Sequence, residues 1–108
     1  MTANCLLIVT AEVDAEVEAA WNRWYDEVHL PDALACPGVL SGRRYVTARP
    51  QALSERGERS QREARLYTTV YELAGPEAVE TPEFAAMRGW AEFTPNVRSE
   101  TRVVAAVA

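Results

Sequence analysis

The chain predicts an α+β fold of order β-α-β-β-α-β, the split arrangement of ferredoxin-like folds, with a four-stranded antiparallel sheet. Three observations predict it. Hydrophobic residues recur with a period of two in some stretches and of about 3.6 in others. Stretches rich in Val, Tyr and Thr are separated by segments that carry helix-capping residues. The length, 108 residues, suits one domain over 1–108, because two halves would each be too small to enclose a core without disulfides or metal.

Residues 3–11 (ANCLLIVTA) form a dense apolar run suited to a buried strand. Asp14 can then cap a helix whose apolar positions, Val17, Ala20, Trp21, Trp24 and Val28, share one sector at about 100° per residue. Arg23, Asp26 and Glu27 point away. The helix is expected to break near Leu30 and Pro31, because the residue before a proline avoids helical geometry. Asp32 starts one further turn through Leu34, which Pro37 and Gly38 end.

Residues 39–49 and 64–73 read as strands. In the second, Tyr67, Thr69 and Tyr71 share one face, and Leu66, Thr68 and Val70 the other. Between them, residues 50–63 (PQALSERGERSQRE) are polar and long for a hairpin loop, and are expected to be mobile or to form a lid over a site. Gly75 and Pro76 open a short helical segment. Thr81, Pro82 and Glu83 supply a cap, a first-turn proline and a first-turn acid for a helix through Arg88. Residues 101–107 (TRVVAAV) close the chain as the last strand. No internal repeat appears.

Composition narrows the function classes. Hydrophobic residues are 48% and charged residues 25% of the chain, the balance of a soluble globular protein. No apolar run approaches the ~20 residues that span a bilayer. The first ten residues lack the basic start and cleavage site of a secretion signal, so a cytoplasmic location is expected. A net charge of −5 argues against nucleic acid as a partner, and the eleven basic residues, all Arg, are scattered among acids. Cys5 and Cys36 have no nearby His or second Cys, which fits no zinc pattern and predicts two buried, inert thiols. Phosphate-binding glycine loops and zinc-protease spacings are absent, and a haem would have only His29 as an axial ligand. No metal or cofactor is expected.

The first and last strands are apolar on both faces, yet two helices cover only one face of a four-stranded sheet. A second copy is the simplest cover for the other face, so a two-fold homodimer with facing sheets is expected.

The run from Trp24 to Leu34 (WYDEVHLPDAL), followed by Pro37-Gly38-Val39-Leu40-Ser41-Gly42-Arg43-Arg44-Tyr45, resembles the dimeric α/β-barrel superfamily, and within it small EthD-like proteins. The likeness rests on W-Y-x-x-x-H-L-P, P-G and R-R-Y over residues 21–45, with agreement elsewhere in element order and in Trp90. It implies a dimer whose sheets close into a barrel, with one small-molecule cavity per subunit. Members include cofactor-free cyclases, monooxygenases, isomerases and haem-degrading enzymes, so the likeness speaks to fold more than to reaction.

His29 is the only histidine and the natural proton carrier near neutral pH. On a regular helix it lies about 100° from the centre of the apolar sector, at a pocket rim, with Asp26 and Asp32 placed to orient it or raise its pKa. The catalytic reading makes His29 an acid or base helped by the Tyr25 or Tyr67 hydroxyl. The plainer reading fastens the helix end to the next turn. Trp21, Trp24, Phe84, Trp90 and Phe93 are core aromatics that could also line a cavity for a flat aromatic or polyketide-like compound, with Asn4 bonding a carbonyl. Arg43 and Arg44 point to opposite faces, so at most one turns inward, and it needs either a carboxylate partner, for which Glu72 is a candidate, or an anionic ligand. The expected function is a cofactor-independent enzyme of cyclase, isomerase or dehydratase type. The alternatives are a cofactor-free monooxygenase of a phenol, a non-catalytic ligand-binding protein and a purely structural dimer whose interior is filled.

Overall fold

The protein is described here by a computed structural model covering residues 4–47 and 65–108, together with the backbone of 51–55 and 58–62. The outermost residues of three expected strands, at 3, 48–49 and 64, lie outside the described residues. The main sheet contains β1 (Cys5–Val13), β2 (Val39–Val46), β5 (Leu66–Leu73) and β6 (Val97–Ala105), in the order β2-β5-β1-β6. Every neighbouring pair is antiparallel, with Leu7 of β1 opposite both Tyr71 and Val103. This is the ferredoxin-like sheet.

The segment expected as a loop departs from that reading. β3 (Gln51–Glu55) and β4 (Glu58–Arg62) pair as an antiparallel hairpin of their own, from Gln51↔Arg62 to Glu55↔Glu58. A two-strand ladder satisfies backbone groups without an apolar face, so composition gave no sign of it.

The first helix departs further. A 3₁₀ turn (Ala15–Val17) leads into α1 (Glu18–Trp24), a π-helical turn (Tyr25–His29) and α2 (Leu30–Leu34), with no break at Leu30 and Pro31. The Leu30 N–H reaches the carbonyl of Tyr25, five residues back. That wider turn makes room for the Pro31 ring, which would otherwise press on the carbonyl four residues earlier. Each residue in a π turn advances by less than the usual 100°, so the faces drift. Val28, expected inside, is 45% exposed, whereas His29, expected at a rim, is only 7% exposed. Ala20 is exposed too, which leaves a narrower buried stripe than expected. Asp14 forms no side-chain cap. Its carboxylate instead accepts hydrogen bonds from Asn96 Nδ2 and an Arg98 guanidinium N–H, at 3.2 and 2.9 Å, tying the helix start to β6.

The second half follows its capping signals. A 3₁₀ segment (Pro76–Glu80) precedes α3 (Pro82–Met87), where Thr81 Oγ1 accepts the Phe84 N–H at 3.1 Å. Ala78 packs on Gly38, whose φ of +84° and whose missing Cβ, only 2.9 Å from Ala78 Cβ if built, both require glycine.

Helices cover one sheet face, over a core in two clusters. One gathers Cys5, Leu7, Cys36, Tyr71, Leu73 and Phe84, and the other Ala11, Val13, Trp21, Tyr25, Tyr67 and Phe93. Both cysteines are free and buried, and burial pushes the Cys36 thiol up. On the other face Leu6, Ile8 and Val70 are half-buried, while Tyr45 and Val104 are exposed. β6 begins four residues earlier than expected and ends at Ala105, so its residues on that face are Arg98, Glu100, Arg102 and Val104. The last strand is therefore apolar on both faces only over 103–105, and Val107 lies beyond it, exposed.

Candidate functional site

A cavity of about 190 Å³ lies between the helices and the sheet. Leu7 and Val9 of β1, Tyr71 of β5 and Thr101 of β6 supply its sheet side; Tyr25 and His29 come from the π turn, and Phe84 and Met87 from α3. Arg88, Gly89 and Trp90 complete the wall, in a turn shaped by positive φ at Gly89 (104°) and Ala91 (51°). The volume falls below the ~300–1,000 Å³ of drug-sized sites but exceeds the ~150 Å³ that encloses a benzene ring. One ring with small substituents fits.

His29 is a titratable group in this wall, and burial favours its neutral form. Its imidazole stacks on Trp24 and meets Tyr25 edge-on. Its nitrogens have no hydrogen-bond partner among the described residues, and they are not sealed inside protein, so they open onto the cavity. Burial lowers its pKa from 6.5 to about 4, against the upward pull of Asp32 and with a smaller downward push from Arg44. At neutral pH the ring is uncharged and free to accept a proton. Asp32 thus acts in the expected direction, but desolvation outweighs it.

Beside His29, the Tyr25 and Tyr71 hydroxyls are 3.3 Å apart. Two hydroxyls joined by one hydrogen bond use one of their two hydrogens, leaving the other for an oxygen in the cavity. Burial, reinforced by Tyr25, pushes the Tyr71 phenol well above its ordinary value, so it stays a donor.

The inward arginine is Arg44, and its carboxylate is Asp26 at 2.6 Å, not Glu72. Glu72 instead accepts the Ser41 hydroxyl at 2.7 Å, on the opposite face. Arg44 also donates to Asn22 Oδ1 at 2.7 Å and lies 4.2 Å from the Tyr25 ring centroid, with Trp21 and Tyr67 around it. Asp26 is spent on this pair rather than on orienting His29.

Of the residues expected at a site, the structure brings His29, Tyr25, Phe84 and Trp90 into one cavity wall. Trp24 backs His29 from behind. Trp21 and Phe93 fill the second core cluster. Tyr67 lies outside the wall; its hydroxyl donates to Glu18 and accepts from Asn22 Nδ2, fastening α1 to the sheet. Asn4 is exposed, and its carbonyl accepts the Ala106 N–H. Tyr71, Met87, Arg88 and Thr101 enter the wall without having been expected there. For Tyr71 the alternation with Tyr67 was a usable signal; for the others no local pattern marks them.

The profile of the family described as "Domain of unknown function (DUF4286)" matches residues 4–81. The chain belongs to the DUF4286 family. No curated protein matches this DUF4286 member. Solved structures do. An ethyl tert-butyl ether degradation (EthD) family protein from Bacillus halodurans is 18% identical, with a TM-score of 0.54 over 91% of this chain and 96% of the other. A Streptomyces coelicolor monooxygenase from the gene ActVA-Orf6, solved with the ligand Nanaomycin D, is 9% identical, with a TM-score of 0.60 over 98% and 89%. SnoaB, a cofactor-independent oxygenase from Streptomyces nogalater, is 16% identical, with a TM-score of 0.53 over 98% and 96%. At these identities the likeness shows the fold alone, the ferredoxin-like α+β fold described above. Among the described residues, no helix of the DUF4286 chain is long and apolar enough to cross a membrane.

Proposed function

We propose that this protein is a cofactor-independent enzyme that moves a proton on a one-ring phenolic or enolic compound, with His29 as the base. The observation that carries the reading is the buried, unpartnered imidazole opening onto a half-open, mainly apolar cavity. Neutral His29 takes the acidic proton, and the anion left behind stabilises the imidazolium that forms. The free hydrogen of the Tyr25–Tyr71 pair meets the developing oxyanion. Returning the proton to a different carbon isomerises the substrate. Attack of the carbanion on a carbonyl of the same molecule, followed by loss of water, cyclises and dehydrates it.

A second reading shares the first step and is favoured by the two oxygenases of like fold. There the deprotonated phenol reacts with O₂, and the protein supplies the base and the enclosure. Both readings include a homodimer formed through the helix-free sheet face, supported by the apolar centre of that face at Leu6, Ile8 and Val70. A particle of twice the chain's 12.0 kDa is expected in sedimentation, and Ile8→Glu should shift it to a monomer.

The test uses deuterium exchange into one-ring cyclic enones, followed by NMR in D₂O, beside O₂ uptake with one-ring dihydroxybenzenes. Wild type should accelerate one of the two, and His29→Gln should lose about 10²–10⁴-fold, the usual contribution of a positioned acid–base group. Binding that survives in His29→Gln, with no catalysis by either protein, would mean a carrier and end the enzyme reading.

A further inference from the structure

Arg88 stands at the exposed lip of the cavity, immediately after α3. Its guanidinium lies 5.9 Å from the Phe84 ring centroid, held along the cavity wall. Arg88, like Arg23, Arg43 and Arg102, makes no ion pair among the described residues, and it lines the cavity. The turn that sets it there holds Ala91 at φ 51°, a left-handed conformation that disfavours any residue with a side chain.

We infer that Arg88 recognises a carboxylate, so that the compound bound here is a one-ring aromatic or enolic acid with its anionic group at the lip and its acidic proton at His29. The inference rests on the proposed proton-transfer site for the orientation of that compound. A guanidinium presents parallel N–H groups that match a carboxylate two to two, which gives direction as well as attraction. Of the charges that bear on His29, Arg44 is paired with Asp26, and Asp32 acts with the opposite sign, so Arg88 is the unpaired cation of the wall. About 190 Å³ holds a ring with a carboxylate and is too small for a nucleotide.

The test is titration calorimetry of the full chain with 4-hydroxybenzoate and its neutral isostere 4-hydroxybenzamide. Wild type should bind the acid about tenfold more tightly, a difference of about 1.4 kcal/mol. Arg88→Gln, at an exposed position, should bring the two within about twofold by weakening the acid alone, and Arg88→Lys should recover part of the preference. His29→Gln should keep the preference, so this inference and the proton-transfer reading fail separately. Equal affinities in wild type, no binding of either compound, or an equal loss for both in Arg88→Gln would overturn it.

Discussion

Trp24 lies flat against His29, with ring centroids 4.6 Å apart and planes 19° from parallel. Stacking on an indole favours a charged imidazolium by ~0.5–2 kcal/mol. A fall in pKa from 6.5 to about 4 corresponds to about 3 kcal/mol in the other direction. Desolvation therefore wins, and the indole serves mainly to hold the ring plane in place beside the cavity.

This depression has a sign in stability. Between pH 6.5 and about 4 the unfolded chain protonates its histidine and the native chain does not, so stability falls as pH drops through that window. Above pH 6.5 the contribution is complete. Urea unfolding of wild type should weaken from pH 7 to 4 by about 3 kcal/mol more than His29→Gln does. Parallel curves for the two proteins would mean that the imidazole is solvated. The acid limb of any His29-dependent rate should likewise fall near pH 4 rather than 6.5.

Tyr25→Phe and Tyr71→Phe should each cost about 1 kcal/mol, the net worth of a buried hydrogen bond. In a double-mutant cycle the pair should couple by about 0.5–1.5 kcal/mol. Additive effects would show that the two hydroxyls, 3.3 Å apart, do not depend on each other.

Arg44 and Asp26 form one ion pair with unequal surroundings, their side chains being 13% and 62% exposed. Arg44→Ala should destabilise by about 2–4 kcal/mol, since it also empties the space between three aromatic rings. Asp26→Asn should cost about 1 kcal/mol or less, as for exposed partners generally. Chemical denaturation of both variants checks the order.

Gly38 and Gly89 both have positive φ but differ in their surroundings. Gly38→Ala meets Ala78 as well as backbone strain and should cost about 2–3 kcal/mol, while Gly89→Ala, in open space, should cost about 1 kcal/mol. Thermal melts of the two variants distinguish them.

Much of the scaffold could be read from local pattern. Tyr67, Thr69 and Tyr71 alternate onto the covered face as period two requires, and Thr81 caps α3 as its spacing with Phe84 suggests. The site was harder. Pro31 reads locally as a stop, yet a π turn absorbs it, and that same turn exchanges Val28 for His29 on the inner face. No residue type announces such a turn, because it arises from a helix continued past its breaker by packing on the sheet. The inward arginine was legible, but its partner was not: Asp26 lies on the helix above it, while Glu72 is close only along the sheet. The cavity wall draws on β1, β5, β6, α3 and the π turn, so residues such as Thr101 and Arg88 become neighbours only through the tertiary fold.

Because the inward aim of His29 depends on one surplus residue in the helical winding, chain length there matters as much as chemistry. Deleting one position between Tyr25 and His29 would restore the ordinary winding, and the imidazole would swing outward by roughly one helical step, about 100°. A chain one residue shorter at this point would keep the four-stranded sheet while turning His29 away from the cavity.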